Sequence, residues 1–240
     1  MKEQQIVEFS TLPYECSYLK SKTCTMHYKH ILNCSFSLNS ALVERGWRRF
    51  GLYFSRPNCK ECKECVNLRI NVKKFEFSRS AKRVLKKNHN TKMIICEPSL
   101  THMHLKLYMK YHQYMSVKKG WKYYELTPKN YFELHVAGSD KFGKEILYFH
   151  EGKMIAVDLI DFTHNGISSI YFFYDPDYSK LSLGKYSIYQ QILLAQREEL
   201  EWIYLGYFVK ECPSLTYKAT YKPHQLLQGS PEMDETPLWL

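Results

Sequence analysis

Three cysteines at positions 59, 62 and 65, in Cys59-Lys-Glu-Cys62-Lys-Glu-Cys65, form two overlapping C-x-x-C spacings. One tight turn at that spacing presents three thiolates to a single centre, with neighbouring amides aimed at the sulfurs, which suits zinc or an iron-sulfur cluster equally. A distant fourth ligand would close a four-thiolate site. No histidine partner is readable nearby, so a nucleophilic role is not expected. Arg79, Lys82, Arg83, Lys86 and Lys87 fall at i, i+3, i+4, i+7 and i+8, opposite Ala81, Val84 and Leu85. On a helix they make one basic face. Between Arg69 and Lys92 nine basic residues stand against Glu76 alone. Such local charge suits a polyanion backbone, bound without base readout and with steep salt dependence. Arg48 and Arg49 are adjacent in an apparent strand, either solvated on an edge or forming an anion site.

The elements that must position these groups are legible from periodicity. Ser40–Gly46 reads as a short helix with a glycine cap, and Trp47–Phe54 as a strand. Val66–Val72 alternates like a strand, and Ser78 or Ser80 can cap the basic helix. Helices are expected at His102–Tyr114 and Lys129–His135. Ile146–Phe149, Lys153–Ile160 and Ile167–Tyr174, separated by turns at Glu151-Gly152 and His164-Asn165-Gly166, make an antiparallel meander. After Tyr174, a segment with Ile188, Ile192 and Ala195 on one face precedes the apolar run Trp202–Val209. Strand, helix and strand there make a right-handed βαβ unit whose loop at 175–183 lies on the edge where ligands sit. The fold class is α+β, a mixed sheet ending in βαβ, with a cysteine-containing region before it. Regions are drawn at 1–100 (cysteine-rich and basic), 101–140 (helical linker), 141–228 and an irregular tail, 229–240.

The chain has 240 residues, 45% of them hydrophobic, and a net charge of +10, which fits a globular protein with a sizeable core. No apolar run approaches a membrane span, and Met-Lys-Glu-Gln-Gln lacks a leader's apolar segment. A cytoplasmic location is expected, with reduced cysteines. Cys24 and Cys34 read as buried small hydrophobes, and His102, His104 and His112 as solvated or core histidines.

Tyr174-Asp-Pro-Asp177, Ser182-Leu-Gly184, Tyr204-Leu-Gly-Tyr207, Tyr217-Lys-Ala-Thr-Tyr-Lys-Pro223 and the cysteine region, all in order, resemble the aminoacyl-tRNA-protein transferases. The likeness is to the bacterial leucyl branch acting on aspartate and glutamate termini, relatives of the eukaryotic arginyltransferases. It spans most of 10–225. Phe50 stands where relatives usually have serine, Lys20 and Val66 near frequent prolines, and Leu215 at a frequent methionine. The resemblance implies a GNAT-like acyltransferase fold. It also singles out Cys16, in Cys16-Ser-Tyr-Leu19, as fourth ligand beside Cys59, Cys62 and Cys65, and tilts the metal toward an iron-sulfur cluster.

The implied reaction moves leucine from leucyl-tRNA to the α-amine of proteins beginning with Asp or Glu, creating a degradation signal. An aminoacyl ester is already activated, so no ATP is needed. The loop at 175–183 lacks the spaced glycines that cradle pyrophosphate, which argues against CoA. Asp161 and Asp175 are candidates to deprotonate or orient the amine, and Tyr174 to donate to the leaving ribose oxygen. Ser182 and Gly184 open a helix whose amides could hold a phosphate or the oxyanion. Arg48, Arg49, Lys218 and Lys222 are candidates for the acidic acceptor, and Arg79, Lys82, Arg83, Lys86 and Lys87 for tRNA. An arginyl donor, and a non-catalytic metal-containing RNA-binding module, remain as alternatives. Oligomeric state is not readable.

Overall fold

The computed structural model describes residues 4–240; the first three residues of the N-terminal stretch lie outside them. Strands β1 (Gln5–Ser10), β2 (Tyr14–Glu15), β3 (Thr23–Cys24) and β4 (Met26–Leu32) precede helix α1 (Phe36–Glu44). Then come β5 (Arg48–Phe50), β6 (Tyr53–Pro57), β7 (Val66–Asn71), α2 (Arg79–Lys87), β8 (Thr91–Cys96), α3 (His102–Lys119) and α4 (Pro128–Tyr131). The meander is β9 (Gly143–His150), β10 (Lys153–Thr163) and β11 (Gly166–Tyr174), followed by α5 (Leu183–Arg197), β12 (Trp202–Phe208) and β13 (His224–Leu226).

The larger sheet runs β13-β7-β12-β11-β10-β9-β8, and a smaller antiparallel one β1-β4-β6-β5. β10 is buried almost throughout because both faces of the sheet are covered. Its Val157 and Leu159 meet Leu107, Tyr108 and Met115 of α3 on one face. Ile188, Ile192 and Ala195 of α5 and Ala81 of α2 share the core on the other, with Ile155 and Ala156. Ile192 is fully buried, and truncating such a residue to alanine costs about 2–5 kcal/mol.

β11 and β12 are the parallel pair expected of the βαβ unit, and the fold is a mixed α+β sheet. They pair only from Gly166–Ser168 against Trp202–Tyr204 and then part. A bulge between Tyr204 and Gly206, with Gly206 at φ +73°, bends β12 away. The guanidinium of Arg48 enters the opening, where a Cβ on Gly206 would stand 2.7 Å from its central carbon. Only glycine serves there, for its dihedral and for the approach.

Several elements differ from the periodicity reading. α1 begins at Phe36, capped by Ser35, because the Ser35 side chain takes the Leu38 amide. The strand expected at Trp47–Phe54 is a hairpin, turned at Gly51 (φ +59°), where a Cβ would collide with the Glu133 carbonyl. α3 runs one turn beyond its expected end, to the left-handed Gly120. The segment at 129–135 is α4 continued by a π-turn, Phe132–Val136. In the tail expected to be irregular, Leu227 pairs with Trp239, whose indole donates to the Glu44 carbonyl at 3.1 Å. β7 and β8 belong to the same sheet as the C-terminal meander, so hydrogen bonding continues across the division drawn at residue 100.

Candidate functional site

Where β11 and β12 part, a cleft of about 1900 Å³ opens. Its walls come from the cysteine-bearing loops, the ends of β11 and β12, the first turns of α5, the segment at Tyr217-Lys218 and the end of α3.

Arg48 is the wedge at its head. Its Nη2 donates to the carbonyls of Ser169 (2.5 Å) and Ile170 (3.2 Å), while Nη1 is buried without a partner. Burial pushes the guanidinium below its ordinary value. Lys218, on a 3₁₀ turn from Thr216 to Thr220, donates to the Tyr207 carbonyl at 2.7 Å. Burial, then the neighbouring Arg48 charge, pushes its ammonium down to about 7. Among the described residues neither cation forms an ion pair with a carboxylate. Two half-buried like charges side by side are costly unless an anion arrives.

The α3 side is aromatic. His112 Nε2 and the Tyr171 hydroxyl are 2.7 Å apart, and Trp121 packs 5.9 Å from His112 and 6.3 Å from Tyr111. Burial lowers the His112 pKa. Behind the wall His135 stacks on Tyr171 and is pushed down to about 4 by burial, with both ring nitrogens unpartnered. His104 is buried against Glu145. His104 is thus a core histidine, as expected, whereas His112, expected to be solvated or core, lines the cleft beside Tyr171. Glu15 is the one acidic residue lining the cleft among the described residues.

Gly184 faces the cleft near the N-terminus of α5, with nothing nearer than 3.9 Å to a Cβ placed there. Tyr174 and Tyr217 also line it. Of the residues expected from sequence, the cleft thus gathers Arg48, Lys218, Tyr174, Gly184, Cys16, Cys59, Cys62 and Cys65.

Others are placed elsewhere. Asp161 and Arg49 form a buried bidentate pair, Nε to Oδ2 at 2.6 Å and Nη2 to Oδ1 at 2.7 Å. Strand alternation turns Arg49 opposite to Arg48, so it fixes β5 to β10 and Asp161 has no free oxygen for an amine. Asp175 binds Lys110 (2.5 Å) and Lys153 (2.8 Å) and accepts from the Asp177 amide. Burial opposes its ionisation, but these donors outweigh it and hold the carboxyl below its ordinary value, which suits a buckle rather than a base. Ser182 makes no capping bond. The 3₁₀ turn Pro176–Leu181 runs straight into α5, and the junction residue is left-handed (φ +56°). Lys222 is exposed and does not line the cleft.

The basic face is as its spacing required. Ala81 is buried and Arg79, Lys82, Arg83, Lys86 and Lys87 are exposed. Asn88, just after α2, donates to the Leu181 carbonyl at 2.8 Å, fastening the basic helix beside the start of α5.

The thiols share a neighbourhood. Burial, then the proximity of Cys16, Cys59, Cys62 and Cys24, pushes Cys65 up to about 12. Cys24 and Cys34 are buried, as expected of small hydrophobes, but Cys24 lies against Cys59. The donor chemistry suits a thiophilic metal. Among the described residues, however, no three Cys, His, Asp or Glu side chains are placed to hold one together.

Periodicity passed over Asp158, Ser187 and Gln191. Ser187 Oγ (2.9 Å) and Gln191 Nε2 (2.8 Å) both donate to Asp158 Oδ2, in a site where all three residues are at most 2% exposed. The available signals were an aspartate inside the apolar run Met154–Ile160, and two polar residues four apart on the apolar face of α5.

The chain matches the family models described as arginine-tRNA-protein transferase, N terminus, over residues 14–83, and C terminus, over residues 103–228. A Campylobacter jejuni protein named aspartate/glutamate leucyltransferase is 52% identical over 97% of this chain and 98% of its own. Proteins of the same name from Helicobacter hepaticus and Pseudomonas fluorescens are 39% and 32% identical. They cover 98% and 91% of this chain, and 98% and 92% of their own.

Proposed function

Because the chain belongs to the arginine-tRNA-protein transferase family, whose members are enzymes, we propose that it transfers leucine from leucyl-tRNA to the α-amine of proteins beginning with Asp or Glu. The observation that carries this reading is the pair of unneutralised cations, Arg48 and Lys218, side by side in the cleft. An acidic side chain placed between them restores the electrostatic balance that burial disturbs, and a neutral first residue cannot.

Each wall then has a task. The amine, positioned by its neighbouring carboxylate, faces the ester carbonyl; such positioning supplies roughly 7–11 kcal/mol of the barrier. The free amides at the start of α5, around Gly184, receive the terminal phosphate or the developing oxyanion. Tyr174 or Tyr217 serves the ribose. The aromatic wall at His112, Trp121 and Tyr171 takes the donor side chain. With Glu15 the only acid lining the cleft among the described residues, an apolar leucine fits better than an arginine, whose guanidinium would need a carboxylate. The exposed face of α2, fastened beside α5, tracks the tRNA backbone.

The meander followed by a parallel crossover supports the GNAT-like assignment, with neither CoA nor ATP required. A thiophilic metal, zinc or an iron-sulfur cluster, is proposed at Cys16, Cys59, Cys62 and Cys65. It would brace the cleft wall, and no step of the transfer passes through it. The leucylated product is proposed to be a degradation signal. No helix among the described residues is long and apolar enough to cross a membrane, and a cytoplasmic site of action is part of this reading.

The test is transfer of labelled leucine and arginine, each on its tRNA, to peptides beginning with Asp, Glu or Ala. Leucine on the acidic peptides alone is expected. Arginine transfer would overturn the donor assignment, and equal use of Ala peptides would overturn the role of Arg48 and Lys218.

A further inference from the structure

Four carboxylates in the described residues are at most 2% exposed: Glu145, Asp158, Asp161 and Asp175. Three face a cationic or imidazole partner: Glu145 has His104, Asp161 has Arg49, and Asp175 has Lys110 and Lys153. Asp158 has only neutral groups about it: Ser187 Oγ and Gln191 Nε2 donate to its Oδ2, the Tyr148 hydroxyl lies near the carboxyl, and Oδ1 makes no hydrogen bond. Leaving an anion buried on neutral donors is expensive, and evolution of stability alone would place a cation or an apolar residue there.

Ser187 connects this carboxylate to the site. It sits on the first turns of α5 and lines the cleft, while its hydroxyl points back to Asp158. Gln191, one turn on, also reaches Ser169 Oγ at 3.3 Å, and the Ser169 carbonyl is what Arg48 grips. The carboxylate and the proposed acceptor site are thus tied through two side chains.

We propose that Ser187 relays a proton between the reacting amine and Asp158, with Ser187 as the catalytic residue and Asp158 as the proton acceptor behind it. This rests on the leucyl-transfer reading above. The neutral α-amine attacks the ester carbonyl and forms the C–N bond. The resulting ammonium gives a proton to Ser187 Oγ as the hydroxyl proton of Ser187 passes to Asp158 Oδ2. Collapse breaks the bond to the ribose oxygen, and the proton returns through Ser187 to that oxygen. The products are an amide and a free ribose hydroxyl, and both side chains end as they began.

The surroundings suit the role. Around Asp158 are Ser187 and Gln191 of α5, Tyr148 and Ile146 of β9, Phe172 of β11 and Tyr217 of the 3₁₀ turn, with Tyr186 packed on Tyr148 and Ser169 on Gln191. None is a cation. Burial accordingly raises the carboxyl to about 7, against the pull of Gln191, Ser187 and Tyr148. A base works best with its pKa near the working pH.

The experiment compares wild type, Asp158→Asn and Ser187→Ala for leucine transfer to a Glu peptide across pH 5.5–9, with thermal stability and tRNA affinity measured in parallel. The relay predicts a fall in kcat of about 100-fold or more in both variants, loss of the ascending limb near pH 7, and unchanged peptide KM and tRNA affinity. The double variant should lose no more than either single one, as groups acting as a unit do. Carboxyl-stretch infrared titration of the protein without substrates should find a group near pH 7 that Asp158→Asn removes. A purely structural network would lower stability and leave the limb in place, which overturns the relay. Should Asp158→Asn fail to fold, an active Ser187→Ala with its limb intact overturns it equally. A wild type that transfers leucine while these variants keep the limb overturns the relay alone; a wild type that transfers none overturns the reading beneath it.

Discussion

Replacing Asp161 by Asn separates a structural carboxylate from a catalytic one. Asp161 and Arg49 are 0% and 3% exposed and joined by two hydrogen bonds of 2.6 and 2.7 Å. Removing one charge of a buried pair strands the other, at about 3–5 kcal/mol. Arg49 keeps the Gly51 carbonyl at 3.0 Å, and asparagine can still accept one bond, so the lower end is expected, about 3 kcal/mol. In a chain of this size each kcal/mol shifts Tm by roughly 2–4 °C, giving a fall of about 6–12 °C. Denaturant unfolding should show a lower midpoint at constant slope, and leucine transfer at a temperature where the variant stays folded should remain within a few-fold of wild type. Replacing both partners by apolar residues, Arg49→Met with Asp161→Leu, should recover much of the loss, because no stranded charge remains. A variant of wild-type stability that has lost transfer would refute this reasoning and return Asp161 to the role of base.

Truncating Arg48 or Lys218 to Met should lower kcat/KM on Asp and Glu peptides by roughly 30-fold or more, from about 2–5 kcal/mol for a buried charged contact; an equal loss on Ala peptides would show that they do not read the acidic side chain. Because burial lowers Lys218 to about 7, its charge in the empty cleft is lost as pH rises through that value, so KM for a Glu peptide should climb above pH 7; a KM flat to pH 9 contradicts the contact. The same half-buried ammonium costs stability below about pH 7, and that cost fades as pH rises toward the ordinary lysine value. Reversing Lys82, Arg83 and Lys86 to Glu should weaken tRNA binding and flatten its salt slope by roughly 2–3, at about 0.7–0.9 per phosphate contact; an unaltered slope would move the tRNA elsewhere. Elemental analysis of anaerobically purified protein should find a thiophilic metal that Cys62→Ser removes, and metal-free wild type with full activity would dismiss the thiolate site.

Sequence by itself determined what depends on neighbours along the chain. The period-two and 3.6-residue patterns set the meander, the crossover and the one-sided charge of α2, since each follows from which face of a local element carries apolar groups. The ordered motifs from Cys16 to Pro223 were enough to indicate the family. What they left open was decided by contacts across long separations. Alternation required Arg48 and Arg49 to face opposite ways, but only the packing of β5 against β10 and β11 put Arg48 in the cleft and Arg49 on an aspartate 112 residues away. The apolar run Met154–Ile160 looked uniform, yet Asp158 inside it meets Ser187 and Gln191, 29 and 33 residues on. Asp161 and Asp175, chosen because they lie near a sheet edge, proved to be neutralised by Arg49 and by Lys110 and Lys153. A carboxylate's chemistry is set by the charges and donors within a few ångströms of it, and those come from whichever distant segments the fold brings there.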